Sequence, residues 1–284
     1  MKIARERNPA LWLFFALTFA VMLVTWGTMI VMSIPGGSTD PTAPPPSLLG
    51  LLLLALGGFS PSIAGIAATW WFGGGSALRD LWQRTIRFDL GWRAYLLIIG
   101  FPIIAVCVRL GAYLHSGGAI GQSALLTNPL ALLPFTIQIA LLGPISEEFG
   151  WRGFAVDGLL ARWRPLSATL ILGVLWAFWH LPLFFIPGTV QARSGNVARE
   201  FPVFALVTAS SALIYTWLHL RTRRSLWSAI LLHFTINFCA SFWATLADDG
   251  FAGRCIWAAL FLTAAIVVAL SWRRESDLAA LPVH

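Results

Sequence analysis

The sequence predicts an all-α, polytopic membrane protein, a bundle of about eight transmembrane helices that forms one integral membrane domain over residues 1–284. The chain is 58% hydrophobic and only 11% charged, whereas an ordinary soluble domain carries about 25% charged residues. The apolar residues also form long runs, and about 20 apolar residues of helix cross the hydrocarbon core of a bilayer. We therefore expect the lipid bilayer to be the main partner of the chain.

Eight apolar runs are candidate spans. The fourth run is short, and we expect it to bend at Gly143-Pro144 and to continue into the polar helix that follows. The first run is longer than the apolar region of a signal peptide and is not followed by a clear cleavage site, so it predicts a retained signal anchor. The predicted spans are 11–32, 47–73, 92–114, 129–145, 166–186, 203–219, 226–247 and 255–272.

The basic residues predict the orientation of the bundle. With eight spans, most of the basic clusters fall on one side, and the positive-inside rule then places both termini in the cytoplasm. We expect a multi-pass protein of the bacterial cell membrane, and this clustering argues against nucleic-acid binding despite the net charge of +7. The clusters are Lys2, Arg5 and Arg7; Arg79, Arg84 and Arg87; Arg162 and Arg164; Arg221, Arg223 and Arg224; Arg273 and Arg274.

The first polar motif inside an apolar region is Glu147-Glu148, followed by Arg152. Glu148 and Arg152 are four residues apart, so they share a helix face and predict an ion pair that braces the helix. Glu147 lies about 100° around the helix and lacks that partner. It is a candidate general base, and the alternative is an exposed carboxylate at the membrane surface.

Two further motifs lie on later apolar helices. His180 follows an aromatic run that begins at Trp176, and a helical hairpin turning near Pro165 brings His180 to a depth similar to that of Glu147. His233 and Asn237 are four residues apart and predict a polar helix face, either in a pocket or in an interhelical hydrogen-bond network. The alternative for His180 is a structural role, because a buried histidine with no polar side chain near it is more often bonded to a backbone carbonyl than catalytic.

Two other polar residues are interpreted as structural. Arg109 lies near the outer end of the third span, where its long side chain can reach the interface. His219, beside Arg221 at a cytoplasmic helix end, predicts a solvated interfacial histidine with no catalytic role. The three cysteines form no C-x-x-C pair and are interpreted as apolar filler.

The ordered set of three motifs resembles the CAAX prenyl protease and bacteriocin-processing family, which includes the type II CAAX prenyl endopeptidases and the lysostaphin-resistance-like bacterial proteins. The resemblance covers about ninety residues, within 146–238, and is carried by Glu147, Glu148 and Arg152, by His180, and by His233 with Asn237. The second motif of the family usually begins with Phe, and Trp176 stands there in this chain. We expect that change to alter packing only.

The resemblance implies an intramembrane endopeptidase that cleaves membrane-associated, optionally prenylated, peptides or proteins. Glu147, helped by His180, would take a proton from the attacking water, and His233 with Asn237 would stabilise the oxyanion. Glu148, Arg152 and Trp176 would support them. H-E-x-x-H is absent, so this is no ordinary zincin, and we expect no metal cofactor because the set of residues resembles water activation plus oxyanion donors. A zinc ion held by Glu147, His180 and His233 remains the alternative.

Two other classes of protein also explain polar residues within membrane helices. A non-catalytic scaffold or bacteriocin-immunity protein would use them for packing or for partner contacts. A transporter would place them on a substrate path, but transporters often contain repeated halves, and no internal repeat is visible in this sequence. The sequence indicates neither the substrate nor the oligomeric state.

Overall fold

The structure, a computed structural model, describes the backbone of residues 2–37 and 47–274 and the side chains of residues 9–37 and 47–272. Within these residues the fold is helical, without β-strands. Eight helices in this described part are long and apolar enough to cross a membrane, which confirms the all-α prediction with eight spans. The side chains of Lys2, Arg5, Arg7, Arg273 and Arg274, which contribute to the orientation argument, lie outside the described side chains.

The eight spans are numbered in chain order. A short helix, Ala124–Thr127, precedes the fourth span, and the turn Leu181–Phe185 continues the fifth. The spans are α1 (Lys2–Val31), α2 (Leu48–Thr85), α3 (Trp92–His115), α4 (Pro129–Leu160), α5 (Pro165–His180), α6 (Val197–Arg221), α7 (Leu226–Leu246) and α8 (Gly250–Arg274).

Helix α2 is longer than its predicted span of 47–73, and the two parts meet at a break. Gly74 has a φ of 66° and a ψ of −165°, a conformation that glycine adopts at low cost because it has no Cβ. The apolar span therefore ends where predicted, and the helix that follows carries Arg79 and Arg84 in a new direction.

Helix α4 is irregular on both sides of Ser146–Gly150. Wider π-helical turns occupy Leu141–Ile145 and Trp151–Ala155, and the first contains Gly143 and Pro144. Proline has no backbone N–H to donate, so the regular helical hydrogen-bond pattern is interrupted there. The predicted bend and the continuation of the fourth span into the polar motif are both confirmed.

Helix α4 is fixed to α2 by direct backbone contact. A Cβ built on Gly65 would lie 2.7 Å from the Cα of Gly150, and one built on Gly150 would clash with the carbonyl oxygen of Pro61. The hydroxyl of Ser62 also donates to the carbonyl of Ile145 at 3.0 Å. Because neither glycine carries a side chain, the two helices meet closely and hold Glu147 and Glu148 at a defined depth.

Arg109, which is predicted to reach the membrane interface, forms an ion pair that the sequence did not predict. Its residue surface is only 9% exposed, and its guanidinium forms a two-pronged ion pair with Asp249, with Nη2 2.7 Å from Oδ1. The partner lies 140 positions along the chain, in the connection between α7 and α8, so sequence proximity gave no sign of it.

Candidate active site

Glu147 is buried and lies against two tryptophans. It is 4% exposed, and its Oε2 accepts a hydrogen bond from the indole Nε1 of Trp176. The Nε1 of Trp151 approaches the same oxygen at 3.4 Å. The alternative of an exposed carboxylate is therefore wrong, and Oε1 is the oxygen left for another group.

His180 faces that second oxygen. Its Nδ1 lies 2.9 Å from the carbonyl oxygen of Trp176, and a carbonyl can only accept, so Nδ1 carries the proton. In the neutral ring, Nε2 then presents a lone pair 3.9 Å from Oε1 of Glu147. The hairpin between α4 and α5 thus brings the two residues together, as their similar distances from Pro165 predicted.

The spacing between Glu147 and His180 suits a bridging molecule. At 3.9 Å the two acceptor atoms are too far apart for a direct hydrogen bond. A water at about 2.8 Å from each atom would subtend an angle of about 90°, so it could donate one hydrogen to each. The pair can therefore bind and orient a water through two acceptors.

Glu148 and Arg152 form the predicted ion pair, and both are fully buried. The Nη1 of Arg152 donates to both carboxylate oxygens of Glu148, at 2.9 and 3.2 Å. The guanidinium lies between two aromatic rings, 4.6 Å from the centroid of Trp176 and 4.8 Å from that of Tyr215. Such contacts stabilise a cation that has left water.

His233 brings a third group to Glu148. Its Nδ1 lies 2.8 Å from Oε1 of Glu148, so Nδ1–H donates to the carboxylate and Nε2 points away. Its ring packs against Trp176 and Tyr215, with centroids 5.5 Å away in each case. Glu148 is therefore more than a helix brace, because it also fixes the orientation of a histidine on α7.

Asn237, one turn further along α7, lies with His233 beside the bend of α4. A Cβ built on Gly143 would lie 2.7 Å from Nδ2 of Asn237 and 3.9 Å from Nε2 of His233. Nδ2 of Asn237 and Nε2 of His233, both on α7, therefore lie near Gly143, one helical turn before Glu147 on α4. The close approach of the amide depends on the missing side chain of glycine.

Trp176 connects the parts of this site. Its indole N–H donates to Glu147, and its ring touches Arg152 and His233. The expectation that tryptophan at this position affects only packing is therefore incomplete. Sequence reasoning also missed Tyr215, although Ser211, Tyr215 and His219 are spaced four apart and mark a polar face on an apolar helix.

The donor atoms do not form a metal cluster in the described part of the chain. No group of three or more His, Cys, Asp or Glu side chains there is arranged to hold a metal ion. Nδ1 of His233 is bonded to Glu148, while Nε2 of His233, Nε2 of His180 and Oε1 of Glu147 are the atoms left for another group. The metal-free mechanism stays a prediction, and a zinc ion held by Glu147, His180 and His233 stays its alternative.

The comparison with known proteins agrees with the motifs. Residues 129–239 match the family model described as type II CAAX prenyl endopeptidase Rce1-like. A curated relative, CAAX prenyl protease 2 of Methanococcus maripaludis, is 33% identical over 131 residues, which are 46% of this chain and 47% of that protein. The chain thus matches about half the length of this relative. The resemblance is confirmed over the segment that carries the candidate site.

Proposed function

We propose that this chain, a member of the CAAX prenyl protease family through residues 129–239, is an intramembrane endopeptidase. The observation that carries the proposal is the pairing of Glu147 with His180 across a gap that fits one water. Trp176 donates to Glu147 and packs against His233. The residues that activate water and those that stabilise the oxyanion would therefore lie around one side chain.

In the first step, Glu147 accepts a proton from the bridging water. His180, held by the carbonyl of Trp176, accepts the second hydrogen of that water at Nε2 and so fixes its orientation. The water oxygen attacks the scissile carbonyl as the proton reaches Glu147. Positioned general bases of this kind contribute about 10²–10⁴-fold to rate.

In the same step, negative charge develops on the carbonyl oxygen. The amide of Asn237 donates to it, and so does Nε2–H of His233 when that ring is protonated. Glu148 supports the protonated ring because its carboxylate accepts the Nδ1–H bond. One oxyanion donor in a water-poor site contributes about 10²–10³-fold to kcat.

Collapse of the tetrahedral intermediate returns the proton to the leaving group. Glu147 has received a proton from water and can pass it to the departing amine, which regenerates the carboxylate. The products are a new carboxyl end and a new amino end. The buried position of Glu147 excludes bulk water from this exchange.

For the substrate we propose a membrane-associated peptide or protein, because the site lies within apolar helices. The name of the curated relative indicates a prenyl substrate for that protein, and the same lipid group is one candidate here. We also propose that the chain resides in the cell membrane with both termini in the cytoplasm, from the distribution of arginines.

The test compares the intact chain with Glu147→Gln and with a matched control, Glu200→Gln. Glu200 is also a buried membrane-helix glutamate, 5% exposed, but it lies in the first turn of α6 and pairs with Arg254, which is not a residue of the site. The three proteins are expressed at equal levels in membranes, and new protein ends are mapped by mass spectrometry. A peptide ending in a C-a-a-X sequence is supplied with and without a farnesyl group.

We expect new ends with the intact chain and with Glu200→Gln, and a loss of about 10²-fold or more with Glu147→Gln. Cleavage that continues unchanged in Glu147→Gln would refute the proposal and favour a scaffold or immunity protein. The two forms of the peptide show whether the lipid is required. A chelator added to the purified intact chain tests the metal-free mechanism, which predicts unchanged cleavage.

A further inference from the structure

A second buried polar cluster lies one turn along α6 from the candidate site, and His219 is its centre. The sequence predicted a solvated histidine there, but His219 is fully buried. Its Nδ1 lies 3.0 Å from the carbonyl oxygen of Ser225, so Nδ1 carries the proton. The other nitrogen, Nε2, is buried and has no hydrogen-bond partner among the described residues.

Arg152 presents the complementary atoms. Only its Nη1 is bonded to Glu148, while Nε and Nη2 are buried and have no partner in the described part of the chain. Buried polar atoms are nearly always hydrogen-bonded, either to protein or to internal water. A lone-pair acceptor and two N–H donors are therefore left over in the same region.

The helical framework brings the segments that carry these atoms together. Tyr215, whose ring lies 4.8 Å from the guanidinium of Arg152, is one turn before His219 on the same face of α6. On α2, Nη2 of Arg84 donates at 3.0 Å to the carbonyl of Gly153, the residue that follows Arg152. His219 is thus one helical turn from a ring that packs on the buried guanidinium.

The charged groups around His219 are chiefly cations. Arg84, Arg224 and Arg152 all act on it electrostatically. Each arginine has a carboxylate partner that offsets part of its charge: Asp80 and Asp157 for Arg84, Asp157 for Arg224, and Glu148 for Arg152. The donors still without an acceptor include Nε and Nη2 of Arg152, and Nε2 of His219 can supply an acceptor.

We propose that Nε2 of His219 and the free nitrogens of Arg152 bind an internal water in common, and that His219 is a positioning residue for the peptidase site. A buried water typically makes two to four hydrogen bonds to polar groups, which these atoms can supply. The water would hold the guanidinium so that Nη1 stays on Glu148, and Glu148 in turn orients His233. The inference rests on the proposed function.

Three substitutions separate this role from simple packing. His219→Asn keeps a donor for the carbonyl of Ser225 but lacks an acceptor at the position of Nε2. His219→Gln can carry its amide oxygen to that position, and His219→Leu lacks both polar groups. We expect kcat to fall about tenfold or more in the Asn and Leu variants and to recover partly in Gln. KM should stay the same, because His219 does not touch the substrate.

The closing experiment assays these variants beside the intact chain and Glu147→Gln, and determines the structure of the intact chain at a resolution that shows water. We expect a water within hydrogen-bond distance of Nε2 of His219 and of a free nitrogen of Arg152. If the intact chain cleaves while the Asn and Leu variants match its kcat, the inference fails and the proposed function stands. If nothing cleaves, the proposed function fails. A structure without the shared water, or with an anion in its place, overturns the inference in either case.

Discussion

Among the residues that the structure describes, two arginine–carboxylate pairs have both side chains at most 10% exposed, and they are built differently. Arg109 meets Asp249 with two nitrogens, Nε and Nη2, one on each oxygen. Trp243 donates to the same carboxylate at 3.2 Å. The guanidinium also lies between the rings of Trp243 and Trp257, at 5.7 and 5.6 Å from their centroids. The hydrogen bonds of this pair thus join the two side chains to each other and to the indole of Trp243.

Arg152 meets Glu148 with a single nitrogen, and both partners keep atoms for other groups. Glu148 gives Oε1 to His233 on α7. Arg152 has two nitrogens without a partner within the described residues. Both residues are fully buried, so this open arrangement carries the full cost of desolvation without the best mutual geometry.

We call Arg109–Asp249 the closed pair and Glu148–Arg152 the open pair. The closed pair is a structural contact, whereas the open pair affects the orientation of a site residue. The closed pair fixes α3 to the connection between α7 and α8, and its effect should appear in stability. The open pair links α4 to a histidine that faces the candidate site, and its effect should appear in kcat. Both pairs are buried and aromatic-lined, so burial alone does not distinguish the two roles.

The largest expected effect follows from replacing the open pair by neutral side chains, in Glu148→Gln combined with Arg152→Met. Removing both charges avoids leaving one of them uncompensated in the interior, so the fold should persist. The carboxylate that supports a protonated His233 is gone, and kcat should fall by about 10²–10³-fold, as for the loss of an oxyanion donor. Cleavage rate and thermal unfolding in detergent measure the two quantities.

A double variant that unfolds at the temperature of the intact chain but retains its kcat would show that the open pair has only a structural role. The single variant Arg152→Met is the internal control. It leaves the buried Glu148 carboxyl without its main partner, so we expect it to be less stable than the double variant.

The next effect concerns the closed pair and is one of stability. Arg109→Met leaves Asp249 buried, with its side chain 7% exposed, and should lower the free energy of unfolding by about 3–5 kcal/mol. Adding Asp249→Asn removes the stranded charge and should restore most of that loss. Cleavage by the folded fraction should stay near that of the intact chain in both variants, as steady-state assays at low temperature can show. A large fall in kcat at full stability would break the distinction.

Much of the framework could be predicted from the sequence. Long apolar runs and clustered arginines indicate eight spans, and the Gly143-Pro144 pair indicates the bend in α4. The i, i+4 spacing predicts the contact between Glu148 and Arg152, and the distances from Pro165 predict that His180 meets Glu147. Each of these inferences uses only local helix geometry.

The contacts that were missed depend on how helices are rotated and where they cross. The bond from His233 to Glu148 joins residues 85 positions apart, and the pair Arg109–Asp249 spans 140. Sequence spacing does not fix the rotation of α7 against α4. His219 was misinterpreted for a related reason. Its contact with the carbonyl of Ser225 is only six positions away, but its burial also depends on how distant helices pack against the end of α6, which sequence spacing does not fix.

The smallest expected effect comes from Trp176→Phe, which keeps an aromatic ring beside both Arg152 and His233 and removes the N–H donor to Glu147. That bond is strongest while Glu147 is ionised, so it stabilises the ground state more than a transition state in which the carboxylate is accepting a proton. Its loss should therefore change kcat by less than about tenfold. Trp176→Leu removes the ring as well and should lower both stability and kcat, since Arg152 loses one of its two aromatic neighbours. If Trp176→Phe lowered kcat as much as Trp176→Leu, the N–H donor rather than the ring would be the essential part of Trp176. Glu147 would then depend on the same side chain that packs on the open pair.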